Sequence, residues 1–246
     1  MNSLYGKKLS KVFDKMYQGF IDYTMEYKFY AALCKSQNAQ TILEIGCGTG
    51  NLAAGFSRDF QEYVGLDYSE NMLALAKKKN PESSFVQGDM RNFSLTKKFD
   101  AALITGRSIN YILTDYDLRN TFSSIFRTLH PKGCVIFDFI DAARFIPYIT
   151  ENPWVKHESF VEGLHYSRES SWYLEKGLEN TINWSADYYL NEDNSKVLLG
   201  NDSSLFRVFA KSEIKSYLEE IGYKVLKQQN RPSYAFDTFV VVAQRV

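Results

Sequence analysis

Short apolar runs alternate with amphipathic stretches along the first 140 residues, and then the period changes. The runs at 41–46, 62–67, 83–87, 99–105 and 133–139 predict strands, while 49–58, 69–79 and 115–129 carry apolar positions at helical spacing. An amphipathic helix is expected over Ser10 to Cys34, with Gly19 as the point at which it breaks. Such alternation predicts an α/β fold, a mostly parallel sheet with helices on both faces. From Asp141 to Phe206 the pattern differs. Residues 181–188 set Thr181, Asn183, Ser185 and Asp187 against Ile182, Trp184, Ala186 and Tyr188, the period of a half-buried antiparallel strand. The polar run 191–196 predicts a hairpin turn. The α/β pattern resumes with a helix from Ser212, its expected N-cap, to Ile221, followed by strands 223–228 and 236–243. The expected organisation is a core of residues 1–140 and 207–246 interrupted by an antiparallel β insertion at 141–206.

Three strand ends carry the candidate chemistry. In TILEIGCGTGNL, residues 41–52, a short apolar strand runs into a glycine-rich turn that opens a helix, and Gly46, Gly48 and Gly50 let a ligand approach the backbone. Glu44 lies near that strand's C-terminal end, where the crevice of an open α/β sheet forms. The glycines alone fit a nucleotide loop or a merely tight turn. The second strand ends in Asp67, about twenty residues past the first glycine, the place of an acid that accepts from ribose hydroxyls. The third ends in Gly88, Asp89 and Met90, an acid suited to an adenine amine beside an apolar residue suited to the ring face. A nicotinamide site is disfavoured by that third station and by GxGxG in place of GxGxxG. Alternatively, Asp67 and Asp89 are ordinary strand-end caps.

Composition narrows the class further. Lys+Arg 29 balance Asp+Glu 29 over 246 residues, so no basic surface announces nucleic acid. No apolar run of about 18 residues could span a bilayer, and the N-terminus lacks a secretory core. Three cysteines, an odd number without metal spacing, fit a reducing cytoplasm, and Cys47 in the glycine loop reads as a small buried filler. No metal site is expected.

Taken together, EIGCGTG (44–50), GLDYSENML (65–73), QGDMRNFSLTKKFDA (87–101) and LHPKGCVIFDF (129–139) resemble the class I S-adenosylmethionine-dependent methyltransferases. Within that class, GDMRNFSLTKKFD and VFDKMYQGFIDY (12–23) are similar to small-molecule N-methyltransferases of the amino-sugar and glycine types. The resemblance implies a Rossmann-like fold with a seven-stranded sheet, a helical lid over about residues 1–35, and S-adenosylmethionine as cofactor. It matches Thr105 and Gly106 to the backbone that meets the cofactor's methionine part, and Arg107 to Tyr111 to a floor beneath the methyl. The candidate cofactor set is then Glu44, Gly46, Cys47, Gly48, Gly50, Asp67, Asp89, Met90, Thr105 and Gly106, with the neighbours Tyr68, Met72 and Arg91.

Tyr17 matches a lid tyrosine that reaches across the active site, and Asn110 and Tyr111 join it as catalytic candidates. Arg107, His165, Trp172 and Arg207 are the candidates for contacting the acceptor. Phe20 follows the lid glycine where the amino-sugar enzymes tend to carry a basic residue, which leaves Arg107, backbone amides, Tyr17 or Tyr23 to hold the methionine carboxylate. His157 and His165 lie in the insertion, which in the family covers the transfer site; His130 is expected at the surface. The expected reaction is methyl transfer to an amine of a small molecule. O-methylation and a non-catalytic cofactor binder are the alternatives, in a cytoplasmic monomer or a homodimer joined through the insertion.

Overall fold

The computed structural model describes residues 9–192 and 195–246, with side chains from Asp14 onward. Strands β1 (Thr41–Ile45), β2 (Glu62–Asp67), β3 (Ser84–Gln87), β4 (Phe99–Ile104) and β5 (Leu129–Phe139) run parallel, in the spatial order β3-β2-β1-β4-β5. The sheet is completed by β11 (Thr238–Arg245), antiparallel to β5, and β10 (Tyr223–Arg231) at the edge. Side chains of the central strands divide between the two faces with period two. Ile42, Ala101, Leu103, Ile136 and Val242 enter one apolar cluster, and Leu43, Ala102, Ile104, Val135 and Val241 the other. Such double-sided burial explains the continuous apolar runs. Helices α2 (Tyr23–Ser36) and α3 (Ala53–Asp59) cover the first face. Helices α5 (Asp115–Thr128) and α7 (Lys211–Ile221) cover the second. The strand order reverses between β1 and β4, so their carboxyl ends open a crevice. Among the described residues, no helix is long and apolar enough to cross a membrane.

The insertion contains α6 (Ala142–Glu151) and a four-stranded antiparallel sheet of β6 (Trp154–Val161), β7 (Leu164–Leu174), β8 (Thr181–Glu192) and β9 (Ser195–Arg207). Its two ends are stitched together where Phe209 N donates to Ile140 O at 3.1 Å and Ala142 N to Phe209 O at 3.0 Å. The change of pattern at Asp141 therefore begins with a helix. Asp141 caps it, and Ala142, Phe145 and Ile149 turn inward at helical spacing. A third apolar cluster joins these residues to Met16 and Tyr17 of α1 (Leu9–Phe20) and to Trp172, Ile182, Trp184 and Tyr188 of the sheet.

Two expected helix boundaries move. The N-terminal helix breaks at Ile21 and Asp22, because Asp22 caps α2 by accepting from Met25 N at 3.0 Å. Gly19 stays helical for a different reason: a Cβ there would stand 2.0 Å from Ser159 Oγ, so glycine lets α1 lie against β6. At α7 the N-cap is Ala210 and not Ser212, since Glu213 reaches back to accept from Ala210 N at 3.3 Å.

Polar contacts fasten α1 on both sides. Ser159 Oγ donates to Met16 O at 2.9 Å, and Asp14 Oδ1 accepts from Thr49 Oγ1 at 2.5 Å and from Lys79 Nζ at 2.8 Å. Thr49 belongs to the glycine turn, so α1 is latched directly to it. A partly exposed charged latch of this kind contributes about 1 kcal/mol. Asp14→Ala should therefore speed amide exchange in residues 14–20 roughly fivefold while β1 and β4 stay protected. Unchanged exchange in α1 would show that the latch does not hold the helix.

Candidate functional site

The glycine turn is held by its neighbour strand. Gly46 N and Cys47 N both donate to Leu66 O, at 2.7 and 3.1 Å, and Gly48 N donates to Asp67 Oδ2 at 2.8 Å. The other Asp67 oxygen accepts from Ser69 N at 2.8 Å, which joins the turn to α4 (Glu70–Lys79). Asp67 thus has a capping role in addition to any contact with ligand, because each carboxylate oxygen can accept more than one bond. Burial raises its pKa. Gly48 has φ +54°, and a side chain there would meet open space within the crevice.

Glu44 is 2% exposed at the end of β1. Tyr63 donates to its Oε2 at 2.5 Å and Thr105 to its Oε1 at 3.5 Å, and burial nevertheless pushes its pKa up to about 7. Asp89 behaves oppositely. The Arg91 guanidinium grips it at 2.6 to 3.0 Å and holds its pKa below the ordinary carboxylate range. Cys47 is buried and burial drives its thiol pKa up, consistent with a filler beside the turn.

These groups line one cavity of about 850 Å³. Every cofactor candidate is on its wall except Gly50, which packs behind the turn against Ala76 and Asn80. Tyr17, Arg107, Asn110, Tyr111 and Trp172 also reach it, so the structure brings the lid, the floor and the insertion to one place.

Several of these side chains are already engaged. The Asn110 amide is a brace, donating to Arg207 O at 2.6 Å and accepting from Ile140 N at 3.2 Å. Arg107 has φ +65°, held by its N–H donating to Asp138 Oδ1 at 3.0 Å. Its guanidinium donates to Ser233 Oγ, Tyr234 O and Phe236 O at 2.6 to 3.2 Å and sits 4.3 Å from both the Tyr234 and Phe236 rings. Arg107 therefore fastens the 232–237 loop over the cavity. Trp172 turns its Nε1 away to Asn152 O at 2.7 Å and leaves its ring beside Trp184, its cross-strand partner. Both indoles are buried in the third cluster as well as bordering the cavity.

Two acceptor candidates lie elsewhere. His165 stacks on Phe160 at 4.2 Å and meets Glu158 at 3.1 Å, away from the cavity. Arg207 is consumed by Asp115 at 2.7 Å and by Glu213. The ion pairs are made with α5 and the first turn of α7, whereas the sequence alone equally allowed a partner within the hairpin. His130 is exposed. His157 is half-buried beside Arg168, and burial together with that charge lowers its pKa to about 4, so it is neutral at physiological pH. Sequence reasoning missed Arg168, Tyr234 and Phe236 on the cavity wall. Arg168 had a signal: it shares the inward register of β7 with Tyr166, Ser170 and Trp172, where a charge has no ordinary reason to be.

Comparison with known proteins accords with this geometry. Residues 42–133 match the methyltransferase-domain family. Over 155 residues the chain is 33% identical to a dTDP-3-amino-3,4,6-trideoxy-alpha-D-glucopyranose N,N-dimethyltransferase of Streptomyces venezuelae. That match spans 62% of this chain and 60% of the relative's length. The solved structure of Streptomyces venezuelae DesVI superposes with a TM-score of 0.80 at 26% identity, covering 94% of this chain and 97% of the other. SAM-bound CalS10, an amino pentose methyltransferase of Micromonospora echinaspora, gives 0.78 at 21% identity, covering 96% and 97%. The chain thus carries a methyltransferase domain over residues 42–133 and shares the fold of S-adenosylmethionine-dependent methyltransferases of known structure.

The buried Glu44 makes a testable statement about pH. Its folded pKa of about 7 stands above the ordinary 4.5, so the folded state alone holds the proton between those values. Stability is greatest below the lower value and is lost as pH rises through the upper one. In the ligand-free protein this group should cost roughly 2 to 3 kcal/mol of unfolding free energy between pH 5 and pH 8, and Glu44→Gln should remove that fall. Urea titrations across the range decide it; parallel profiles for the two proteins would contradict the assignment.

Proposed function

We propose that the protein transfers the methyl group of S-adenosylmethionine to an amine nitrogen of a small molecule. The observation that carries this reading is the single cavity in which the three strand-end acids face an aromatic wall made by the lid, the insertion and the 232–237 loop. In the proposed cofactor site, Glu44 lies toward the methionine part, Asp67 toward the ribose and Asp89 with Met90 toward the adenine. The bound cofactor supplies an already activated methyl, so the chain's task is alignment and exclusion of water.

The acceptor nitrogen must arrive unprotonated, and Asp138 is the group suited to relieve it of a proton. It is 2% exposed on the cavity wall, burial raises its pKa, and Arg107 N–H engages only Oδ1. Among the described residues, Asp138 Oδ2 has no protein hydrogen bond. Tyr17 is kept as a neutral phenol by burial, which raises its pKa, and it accepts a hydrogen bond from Arg168, so it orients rather than ionises. Trp172, Trp184 and Tyr111 offer faces to the acceptor's apolar parts or to a cationic amine. The relatives named as amino-sugar N,N-dimethyltransferases support nitrogen over oxygen.

Incubation with labelled cofactor and a panel of amines, amino sugars, amino acids, carboxylates and alcohols tests the proposal. Label should enter an amine. Tyr17→Phe should lower turnover on that amine at least about tenfold while cofactor affinity changes by less, as for a group that acts in the transition state. Label in a carboxylate or alcohol alone, or in nothing, would overturn the reading.

A further inference from the structure

We propose that the acceptor carries an oxyanion, a carboxylate or a phosphate, and that Arg168 is the residue that receives it. This rests on the reading of the cavity as a methyl-transfer site and specifies its substrate class.

The argument begins with an unbalanced charge. Arg168 lies on β7 in a row across the insertion sheet, with His157 opposite it on β6 and Tyr188 opposite it on β8. It is 5% exposed and forms part of the cavity wall. Its Nη1 donates to the Tyr17 hydroxyl and its Nη2 to His157 Nδ1 at 3.2 Å, while its Nε has no partner. Among the described residues no carboxylate pairs with it. The partly buried arginines are compensated by carboxylates: Arg207 by Asp115 and Glu213, Arg231 by Glu26. Arg107 spends its Nη2 on a hydroxyl and two carbonyls and packs against two aromatic rings, although its Nε, like those of Arg168 and Arg207, has no partner.

The neighbours of Arg168 cannot neutralise it. Tyr17 and Tyr188 have raised pKa values, chiefly through burial, and His157 has a lowered one, so all three are uncharged near neutrality. Arg168 itself stays protonated despite burial. A guanidinium withdrawn from water without an anion is unfavourable, and a ligand that brings the anion relieves the penalty. The remaining N–H groups form a planar fork that matches two oxygens of a carboxylate or phosphate. The Tyr188 hydroxyl, one strand over, is also buried without a partner. Trp172 follows Arg168 on the same face of β7, so one molecule can place its anion on the guanidinium and its apolar part on the indole.

The experiment uses pairs of amines that differ only in the anion: amino acids against their amides, aminoalkyl phosphates against aminoalcohols, and nucleotide-linked amino sugars against the free sugars. The wild-type protein should favour the anionic member of at least one pair by tenfold or more in kcat/KM, and the pair that responds tells carboxylate from phosphate. Arg168→Met should erase that preference by raising KM for the anionic acceptor at least tenfold, with affinity for S-adenosylhomocysteine within threefold of wild type. Arg168→Lys, which keeps the charge but not the fork, should recover part of it and guards against a folding defect in the first variant. Equal use of charged and neutral members by the wild type would overturn the proposal. So would a Met variant that loses affinity for S-adenosylmethionine but not for its decarboxylated form, since the guanidinium would then hold the cofactor's own carboxylate. If no amine is methylated, the functional reading fails on its own. Calorimetry of glycine, aminoethyl phosphate and thymidine diphosphate against the S-adenosylhomocysteine complex still tests the anion site: binding that Arg168→Met abolishes supports it, and no binding overturns it.

Discussion

Everything at this site depends on how the Leu66 carbonyl and the Asp67 carboxylate hold the glycine turn. Parallel pairing of β1 with β2 continues past the strand end, because Leu66 O collects the amides of Gly46 and Cys47 before Asp67 takes that of Gly48. The turn then offers Thr49 to the lid. Asp14 of α1 accepts from Thr49, and two residues later Met16 O accepts from Ser159 of β6. Hydrogen bonds thus tie the glycine turn to α1 and α1 to the insertion that carries Arg168 and Trp172.

Charge in the cavity is arranged in unequal ways. Asp89 is matched by Arg91 at short range and remains ionised, so it is ready to accept without any rearrangement. Glu44 and Asp138 are carboxyls under a desolvation penalty, with raised pKa values and few partners. Arg168 carries the opposite imbalance. Buried charges without partners are unfavourable in the free protein, and the same imbalances make binding of a complementary molecule more favourable. The cavity therefore carries buried ionisable groups that the described residues compensate only in part.

Aromatic residues do two jobs that burial alone does not separate. Trp172 closes the third cluster against Phe145 while its outer face borders the cavity, and its N–H is spent on Asn152 O. Tyr234 and Phe236 owe their position to Arg107, whose guanidinium lies between the rings. Replacing Arg107 would thus disturb the roof of the site before it touched any ligand.

The sequence by itself determined the central sheet, its parallel sense and the positions of Glu44, Asp67 and Asp89. These follow from local chemistry: apolar runs buried on both faces, a turn that needs glycine, and acids at strand ends. It also revealed that the chain changes character at Asp141, though the helix Ala142–Glu151 at that junction and the breaks at Asp22 and Ala210 depended on capping bonds that composition does not announce. Only the tertiary structure decided which polar side chains remain available. Arg207 and His165 were candidates by residue type and are engaged by Asp115, Glu213 and Glu158, whereas Arg168 borders the cavity with no carboxylate partner among the described residues. A residue's type sets what it can do, but its availability depends on partners that long-range packing supplies or withholds.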